Sequence, residues 1–223
     1  MAGELVIENK VKAGFFSFTE ITDPAEHRSY NEWHQLDHMP EQFPLPGIAF
    51  GQRWVSTPAC RDARAVSGPR LDPIHYVTLY LMTEPLEQTL RDFRQLGRDL
   101  YAKHRFHLHR HAHLAGPFTR VASAAAPRVA ISAAAVPYRP NRGVYVTVAA
   151  ADAVRDEPDD VCARDGVAGV WEFADDTSRL TVAWLDAAPL TVASALAPRD
   201  PSGVEFAGPF ETIVPWEWDW FDR

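Results

Sequence analysis

The chain has 223 residues, of which 46% are hydrophobic, and it carries 22 basic and 30 acidic residues for a net charge of −8. This length is enough for one large domain or two small ones. An acidic chain is a poor match for a phosphate backbone, which needs a basic surface, so we expect no nucleic-acid partner.

The N-terminal segment and the cysteines bear on location. MAGELVIENKVKAG (1–14) has acids and lysines where a signal peptide needs an unbroken apolar core. No apolar run approaches the roughly 18 residues of a membrane span, so no membrane partner is expected. Cys60 and Cys162 are isolated and form no CxxC pair. These features predict a reducing, cytoplasmic location.

Four segments recur in the same order in the two halves of the chain, which indicates an internal duplication. The four pairs are GFFSFTEI and GVYVTVAA, PGIAFGQRW and DGVAGVWEF, VTLYLMTEPL and TVAWLDAAPL, and HLAGPFTRV and EFAGPFETI. One short match would be expected by chance, whereas four collinear matches favour duplication.

The first copy reads strand, helix, strand, strand, helix, strand. Aromatic and β-branched residues predict a strand over 14–21. Asp23 is a suitable N-cap for the first helix, with Pro24 at its first position. The second helix, over 86–104, has an apolar stripe at helical spacing formed by Leu86, Leu90, Phe93, Leu96 and Leu100. The other strands are predicted over 48–56, 75–82 and 107–123.

This βαββαβ order predicts an α+β fold built from two tandem ferredoxin-like repeats. The predicted strands are apolar on both faces, while the helices cover only one face of each sheet. We therefore expect the repeats to pack sheet to sheet as a pseudo-dimeric α+β barrel. Because this pairing is intramolecular, we expect a monomer or a homodimer.

The second repeat is shortened by roughly one helix at each helical position, and it has no counterpart of NEWHQLDHMP (31–40). The first repeat is therefore expected to carry the site. The predicted domains are a first repeat (13–123), a linker (124–142), a degenerate second repeat (143–215) and a Trp-rich tail (216–223). Period-two alternation in the tail predicts a strand that covers a sheet edge, in preference to a ligand-stacking segment.

The run YNEWHQLDHMPEQFPLPGIAFGQRW (30–54) resembles the EthD-like branch of the dimeric α+β barrel superfamily. The matching residues are Asn31, Trp33, His34, Asp37, His38, Pro40, Pro46 and Gly47. The resemblance implies a superfamily of cofactor-free isomerases, cyclases, decarboxylases and monooxygenases, together with haem enzymes such as chlorite dismutases and dye-decolorising peroxidases. Tyrosine is common at the position of His34, so a role for His34 would not extend to all relatives.

His34 and His38 are four residues apart and lie on one face of the predicted helix, with Asp37 close to His34. A neutral imidazole beside a carboxylate is a workable general base at neutral pH. We expect His38 to act as the base or acid and Asp37 to orient it. His34 would be a second proton carrier or a ligand to the substrate.

A substrate pocket is predicted around these residues. Its expected lining is aromatic, with polar side chains at its margin: Asn31, Trp33, Phe16, Phe18, Trp54, Tyr80, His111 and His113.

Two other interpretations of the histidine pair remain open. In the first, His38 bonds a backbone carbonyl at the helix end before Pro40, and His34 is exposed to solvent. In the second, the pair presents two nitrogen ligands to zinc or iron, with Asp37 or Glu41 as a third ligand. The stronger HExxH signature is absent.

The segment 104–113 is rich in histidine. His107, His109, His111 and His113 recur at period two, so in a strand they point to one face. That face could bind metal or haem or line the pocket, but we favour an exposed face.

The chain contains no GxGxxG, GxxxxGK[ST] or GxSxG motif, which argues against nucleotide cofactors, phosphoryl transfer and serine-esterase chemistry. The leading prediction is a small cofactor-independent enzyme that acts by acid/base catalysis on an apolar, ring-containing metabolite. Isomerisation, cyclisation, dehydration and decarboxylation are the reactions considered. The alternatives are a haem- or metal-binding oxygenase or peroxidase-like protein, and a non-catalytic small-molecule-binding or interaction module.

Overall fold

The computed structural model describes residues 8–222. The strands are β1 (Val11–Ile21), β2 (Ile48–Val55), β3 (Val66–Ser67), β4 (Tyr76–Thr83), β5 (Arg110–Ala125), β6 (Gly143–Ala150), β7 (Val167–Ala174), β8 (Ser178–Leu185) and β9 (Val204–Thr212). The α-helices are α1 (His27–Trp33), α2 (Pro58–Asp62), α3 (Leu86–Ala102), α4 (Pro158–Cys162) and α5 (Pro189–Leu196). Within this range, no helix is both long and apolar enough to cross a membrane.

Eight strands form one closed antiparallel barrel in the order β2-β4-β1-β5-β7-β8-β6-β9, and β9 pairs back with β2 through Trp54 and Thr212. The short β3 adds to another stretch of β9. The prediction of two ferredoxin-like sheets packed face to face as a pseudo-dimeric α+β barrel is therefore wrong. The strands of both halves belong to a single sheet that closes on itself.

The two halves of the chain meet where β5 pairs with β7 and where β2 pairs with β9, and these two junctions explain why one barrel forms. Two separate sheets would leave four edge strands with unpaired backbone N–H and C=O groups, and closure pairs them. The long β5 pairs with β1 up to Thr119 and then with β7 from Thr119 to Ala125. One strand thus belongs to both halves, which a repeat-by-repeat interpretation of the sequence cannot show.

The main core fills the barrel interior. It is one cluster of buried side chains drawn from all eight barrel strands and includes Phe16, Phe18, Trp54, Trp171 and Phe206. A second kind of packing covers the outside of the wall, where Phe15 and Tyr80 contact Phe93 of α3. Strand alternation therefore decides which aromatic residues face the interior and which face the helices.

The tail is not a strand, so that prediction is wrong. Trp216 has a positive φ of 73°, which breaks an extended run, and the closed barrel leaves no long edge for an added strand. Trp218 is instead buried, and the Phe221 ring stacks on the His27 imidazole with centroids 3.8 Å apart. The predicted linker contains the end of β5 and two short 3-10 helices, Pro127–Val129 and Ala133–Tyr138. The domain boundaries themselves stay a prediction.

Candidate functional site

A cavity of about 210 Å³ lies outside the barrel wall, between strands β1, β4 and β5 on one side and the segment around α1 and α3 on the other. Its polar lining consists of Ser17, His34, His38, Gln42, Thr78, Tyr80 and Arg110, and its aromatic lining of Phe15, Phe93 and Phe106. This is the place where the histidine pair predicted from the sequence meets an apolar wall.

The wall comes from one face of the strands. Phe15 lies opposite Tyr80, and Ser17 lies opposite Thr78, across the β1–β4 pairing. Directly paired residues of antiparallel strands point to the same face, here the outer one. The predicted pocket residues Phe16, Phe18 and Trp54 belong instead to the buried cluster inside the barrel. The aromatic wall of the cavity is therefore Phe15, Tyr80, Phe93 and Phe106, a correction that follows from the alternation of β1.

The histidines are carried by a helical segment that changes its winding. The Asp23 carboxylate accepts a hydrogen bond from the Ala25 amide at the N-terminus, as predicted for the cap. After α1, residues His34–His38 form a π-helical turn, in which the Met39 amide donates to the His34 carbonyl over 2.8 Å. Such turns occur frequently at functional sites. Here the turn leaves the two imidazole centroids 5.2 Å apart, and both rings line the cavity.

The His34 imidazole is held between two tyrosines. It is 5% exposed, its Nδ1 lies 3.0 Å from the Tyr30 hydroxyl, and its Nε2 lies 3.4 Å from the Tyr80 hydroxyl. A neutral imidazole has one donor and one acceptor nitrogen, so one tyrosine donates to His34 and the other accepts from it. Burial, and then the positive charge of Arg53, hold the pKa of His34 well below its usual value.

Burial also raises the pKa of the Tyr80 hydroxyl, which therefore stays protonated and can donate a hydrogen bond into the cavity.

The His38 imidazole forms the other polar part of the wall. It stacks on Trp33 with centroids 4.6 Å apart, and its edge meets Phe106 at 5.1 Å. Its Nδ1 is buried and has no hydrogen-bond partner within the described part of the chain. Burial, followed by the charge of Arg110, lowers the pKa of His38 to about 4, while Asp37 acts in the opposite direction. His38 is thus a neutral base with an unused nitrogen.

Asp37 is engaged elsewhere. Its carboxylate accepts from Arg105, whose Nε lies 3.3 Å from Oδ2, and Arg105 also binds Glu41 at 2.7 Å. The Trp33 indole donates to the Arg105 carbonyl over 2.7 Å. Among residues 8–222, neither cavity histidine hydrogen-bonds Asp37. The carboxylate therefore fastens the π-helical turn to the segment after α3, and the orienting role predicted for it has no supporting contact.

Asn31 lies behind the cavity wall. Its Nδ2 donates to the His27 carbonyl at 2.8 Å and to the Tyr76 hydroxyl at 2.9 Å, and its Oδ1 accepts from Arg53 at 2.9 Å. Arg53 is 2% exposed, and its guanidinium lies over the Tyr30 and Tyr76 rings. Asn31 thus positions α1 and a buried cation, and it does not line the cavity where a substrate contact was predicted.

The histidines of the segment 104–113 do not line the cavity. β5 begins at Arg110, so His107 and His109 precede the strand, and the His107 Nε2 lies 3.0 Å from the Ser29 hydroxyl. His111 is exposed, and the His113 Nε2 lies 2.7 Å from Glu20. In residues 8–222, no group of three histidine, cysteine or acidic side chains is arranged to hold a metal ion.

The cavity does not have room for a haem group. The cavity of about 210 Å³ is smaller than the roughly 300–1,000 Å³ of ordinary small-molecule sites. This space suits a compact ligand such as a single substituted ring.

Two further concave regions lie in the second half. One, of about 70 Å³, lies against the outer face of β6 and β8 and is lined by Tyr145, Thr147 and Arg179. The other, of about 330 Å³, is lined mainly by charged side chains such as Arg155, Glu157 and Asp160. Neither is lined by histidine, so the paired imidazoles occur only at the first-half cavity among these three.

Several site residues were missed by sequence reasoning. Arg110, Thr78 and Ser17 carry no motif, although Thr78 and Ser17 each lie between two buried strand residues. Tyr30 precedes His34 by four positions, which is the same helical spacing that pairs His34 with His38. Gly97, in the middle of an amphipathic helix, was the other available signal, because a glycine there is costly and requires a reason.

No family model matches the chain, and no curated protein matches it. The fold is similar to a crystal structure described as that of a putative chlorite dismutase, with a TM-score of 0.52 over 95% of this chain and 98% of that chain. Sequence identity over this match is 8%, so the similarity extends to the fold alone.

Proposed function

We propose that this protein is a small cofactor-independent enzyme that moves a proton on an apolar, ring-containing molecule bound in the cavity described above. One observation carries the proposal. Two neutral imidazoles and a tyrosine hydroxyl, from His34, His38 and Tyr80, line the same small cavity beside aromatic rings. A base and a hydrogen-bond donor around one apolar ring are the elements of acid/base catalysis.

The residues take distinct roles in the proposal. The His38 imidazole, which lines the cavity, accepts a proton from a carbon acid of the substrate. The Tyr80 hydroxyl, supported by His34, donates a hydrogen bond to the oxygen on which negative charge develops. Return of the proton from His38 to another carbon completes an isomerisation, and its transfer to the departing leaving group completes an elimination.

The low pKa of His38 has a consequence for this chemistry. In the empty cavity the imidazole is neutral throughout the physiological pH range, because its pKa is about 4. An imidazole of such low basicity is a weak proton acceptor. Negative charge arriving on a substrate would raise the pKa of His38, since an opposite charge stabilises the imidazolium. The base would thus be strengthened only when substrate is bound.

The proposal extends to the evolutionary origin of the chain. A tandem duplication is supported by the matching strand neighbours in the two halves, whereas the EthD-like resemblance rests on the residues of 30–54 alone. β1 lies between β4 and β5, and β6 lies between β8 and β9, the corresponding strands of the second half.

A turnover screen with site variants tests the function. Small ring-containing ketones and acids are screened with wild type, His38→Ala, Tyr80→Phe and the exposed control His111→Ala. We expect His38→Ala to lower turnover by about 10²–10⁴-fold with little change in melting temperature, while the control keeps wild-type activity. Full activity in His38→Ala contradicts the proposal. A large loss of stability in that variant favours a structural role for the ring.

A further inference from the structure

The cavity lining includes a positively charged side chain that has no acidic partner among the described residues. Arg110 lines it, with its guanidinium 4.9 Å from the Phe106 ring centroid and 5.5 Å from that of Trp33. Within residues 8–222, Arg110 forms no ion pair, whereas Arg105 five positions earlier binds both Asp37 and Glu41. Asp37 and Glu41 are therefore already paired with Arg105, and they do not neutralise the positive charge of Arg110 at the cavity.

A second cation lies behind the wall. Arg53 is buried, its Nη2 donates to Asn31, and its Nε and Nη1 have no partner among the described residues. Its register partner on β4 is Thr78, which lines the cavity and whose hydroxyl is also buried without a partner. Burying a guanidinium without a counter-ion is costly, so a charge kept at this place needs an explanation.

The lining contains nothing to neutralise these charges. It includes no aspartate and no glutamate, and its two histidines are uncharged near neutral pH. Aromatic walls lower the local dielectric, which strengthens the field of both guanidinium groups inside the cavity. In this space, the guanidinium groups would balance the charge of an anionic ring compound, and the aromatic side chains would contact its ring.

We infer that the cavity selects a ring compound bearing a carboxylate, which pairs with Arg110 while Arg53 adds to the positive field through the wall. This inference rests on the proposed function, because it names the substrate class of the same site. The aromatic side chains Phe15, Phe93 and Phe106 accommodate the ring. The Thr78 hydroxyl is available as an additional donor. The bound carboxylate also supplies the negative charge that would strengthen His38 as a base.

Titration with a charged and a neutral probe of one shape tests the inference. Benzoate and benzamide differ mainly in charge, so their affinities are measured by calorimetry for wild type, Arg110→Gln, Arg110→Lys and Arg98→Gln. Arg98 is an exposed arginine of α3 and serves as the matched control. We expect wild type and Arg98→Gln to prefer benzoate by about tenfold or more, the order expected for a charge-assisted hydrogen bond. Arg110→Gln should lose the preference, and Arg110→Lys should keep part of it.

Equal affinity for benzoate and benzamide in wild type would overturn the inference, as would a preference that survives in Arg110→Gln. If Arg110→Gln does not fold, the wild-type comparison decides, with shifts of the His34 and His38 ring signals in NMR spectra showing whether benzoate occupies the cavity.

Failure of this inference is distinguishable from failure of the proposed function. His38→Ala should retain the benzoate preference while losing turnover. A lost preference with intact dependence of turnover on His38 would refute only the substrate class.

Discussion

The Tyr30 hydroxyl lies 3.0 Å from the Nδ1 atom of His34, one helical turn further along the same segment. Because the other ring nitrogen of His34 faces the Tyr80 hydroxyl, the three side chains form one hydrogen-bonded row from the protein interior to the cavity. The row links Tyr30, next to the protein interior, to the Tyr80 hydroxyl at the cavity.

Tyr30→Phe should therefore affect both stability and activity. The substitution leaves His34 Nδ1 buried without a partner, and such a loss costs about 1–3 kcal/mol of unfolding free energy. Urea denaturation measures this cost, and turnover should fall because Tyr80 loses an oriented neighbour. Tyr101→Phe, at an exposed position of α3, is the control and should change neither quantity. Wild-type stability and turnover in Tyr30→Phe would show that the row has no role.

Gly97 offers a way to fill the cavity from its helical side. It lies within α3 and lines the cavity, and a Cβ at this position would meet no atom within 4 Å. Gly97→Ala should raise the unfolding free energy by about 0.5–1 kcal/mol, because glycine is unfavourable within a helix. Gly97→Leu should weaken benzoate binding while the fold stays intact. Unchanged binding in Gly97→Leu, measured by calorimetry, would place the ligand elsewhere.

Asp37→Asn separates the two roles considered for this carboxylate. Since Asp37 binds Arg105 at a half-exposed position, losing that ion pair should cost no more than about 1 kcal/mol. We also expect turnover to stay within a few-fold of wild type, because the carboxylate does not hydrogen-bond either histidine. If turnover of Asp37→Asn instead falls to the level of His38→Ala, the carboxylate orients the base as the sequence suggested.

Acidification below about pH 6.5 should destabilise the protein. Burial lowers the pKa of His38 and His27 to about 4 and that of His75 to about 3, all below the value of about 6.5 in the unfolded chain. Between these values the unfolded chain binds protons that the folded chain does not, so stability falls as pH decreases from about 6.5 towards 4. For a buried ring such as His27, a pKa lowered from about 6.5 to about 4 corresponds to about 3 kcal/mol of unfolding free energy.

Urea titrations at pH 7.5, 6 and 5 measure this loss, and His75→Gln should make the dependence shallower. A flat profile over this interval would contradict the burial of these imidazoles.

The predicted strands and helices of the first half were found, since aromatic alternation and an apolar stripe are local signals. The closed barrel was not foreseen, because the pairing of Trp54 with Thr212 joins strands far apart in sequence. The same limit applied to the pocket. The helix spacing brought His34 and His38 together on the cavity wall, whereas the pattern of β1 could not tell whether Phe15 or Phe16 faced the helices. That choice depends on which side of the sheet becomes the barrel interior.

The positive charge at the site could not be predicted from the sequence either. Arg53 and Arg110 were two of many arginines in the sequence, and only the folded arrangement shows that the acids near the cavity are bound by Arg105. An unpaired cation is a property of three-dimensional neighbours and has no signature in a motif.

Solvent deuterium exchange tests the central claim most directly. Wild type, His38→Ala and His111→Ala are incubated in D₂O with cyclic keto acids, and deuterium incorporation at carbon is followed by NMR. The account predicts incorporation by wild type and His111→Ala and its loss in a folded His38→Ala variant. Incorporation at the wild-type rate by His38→Ala would contradict proton transfer at this residue.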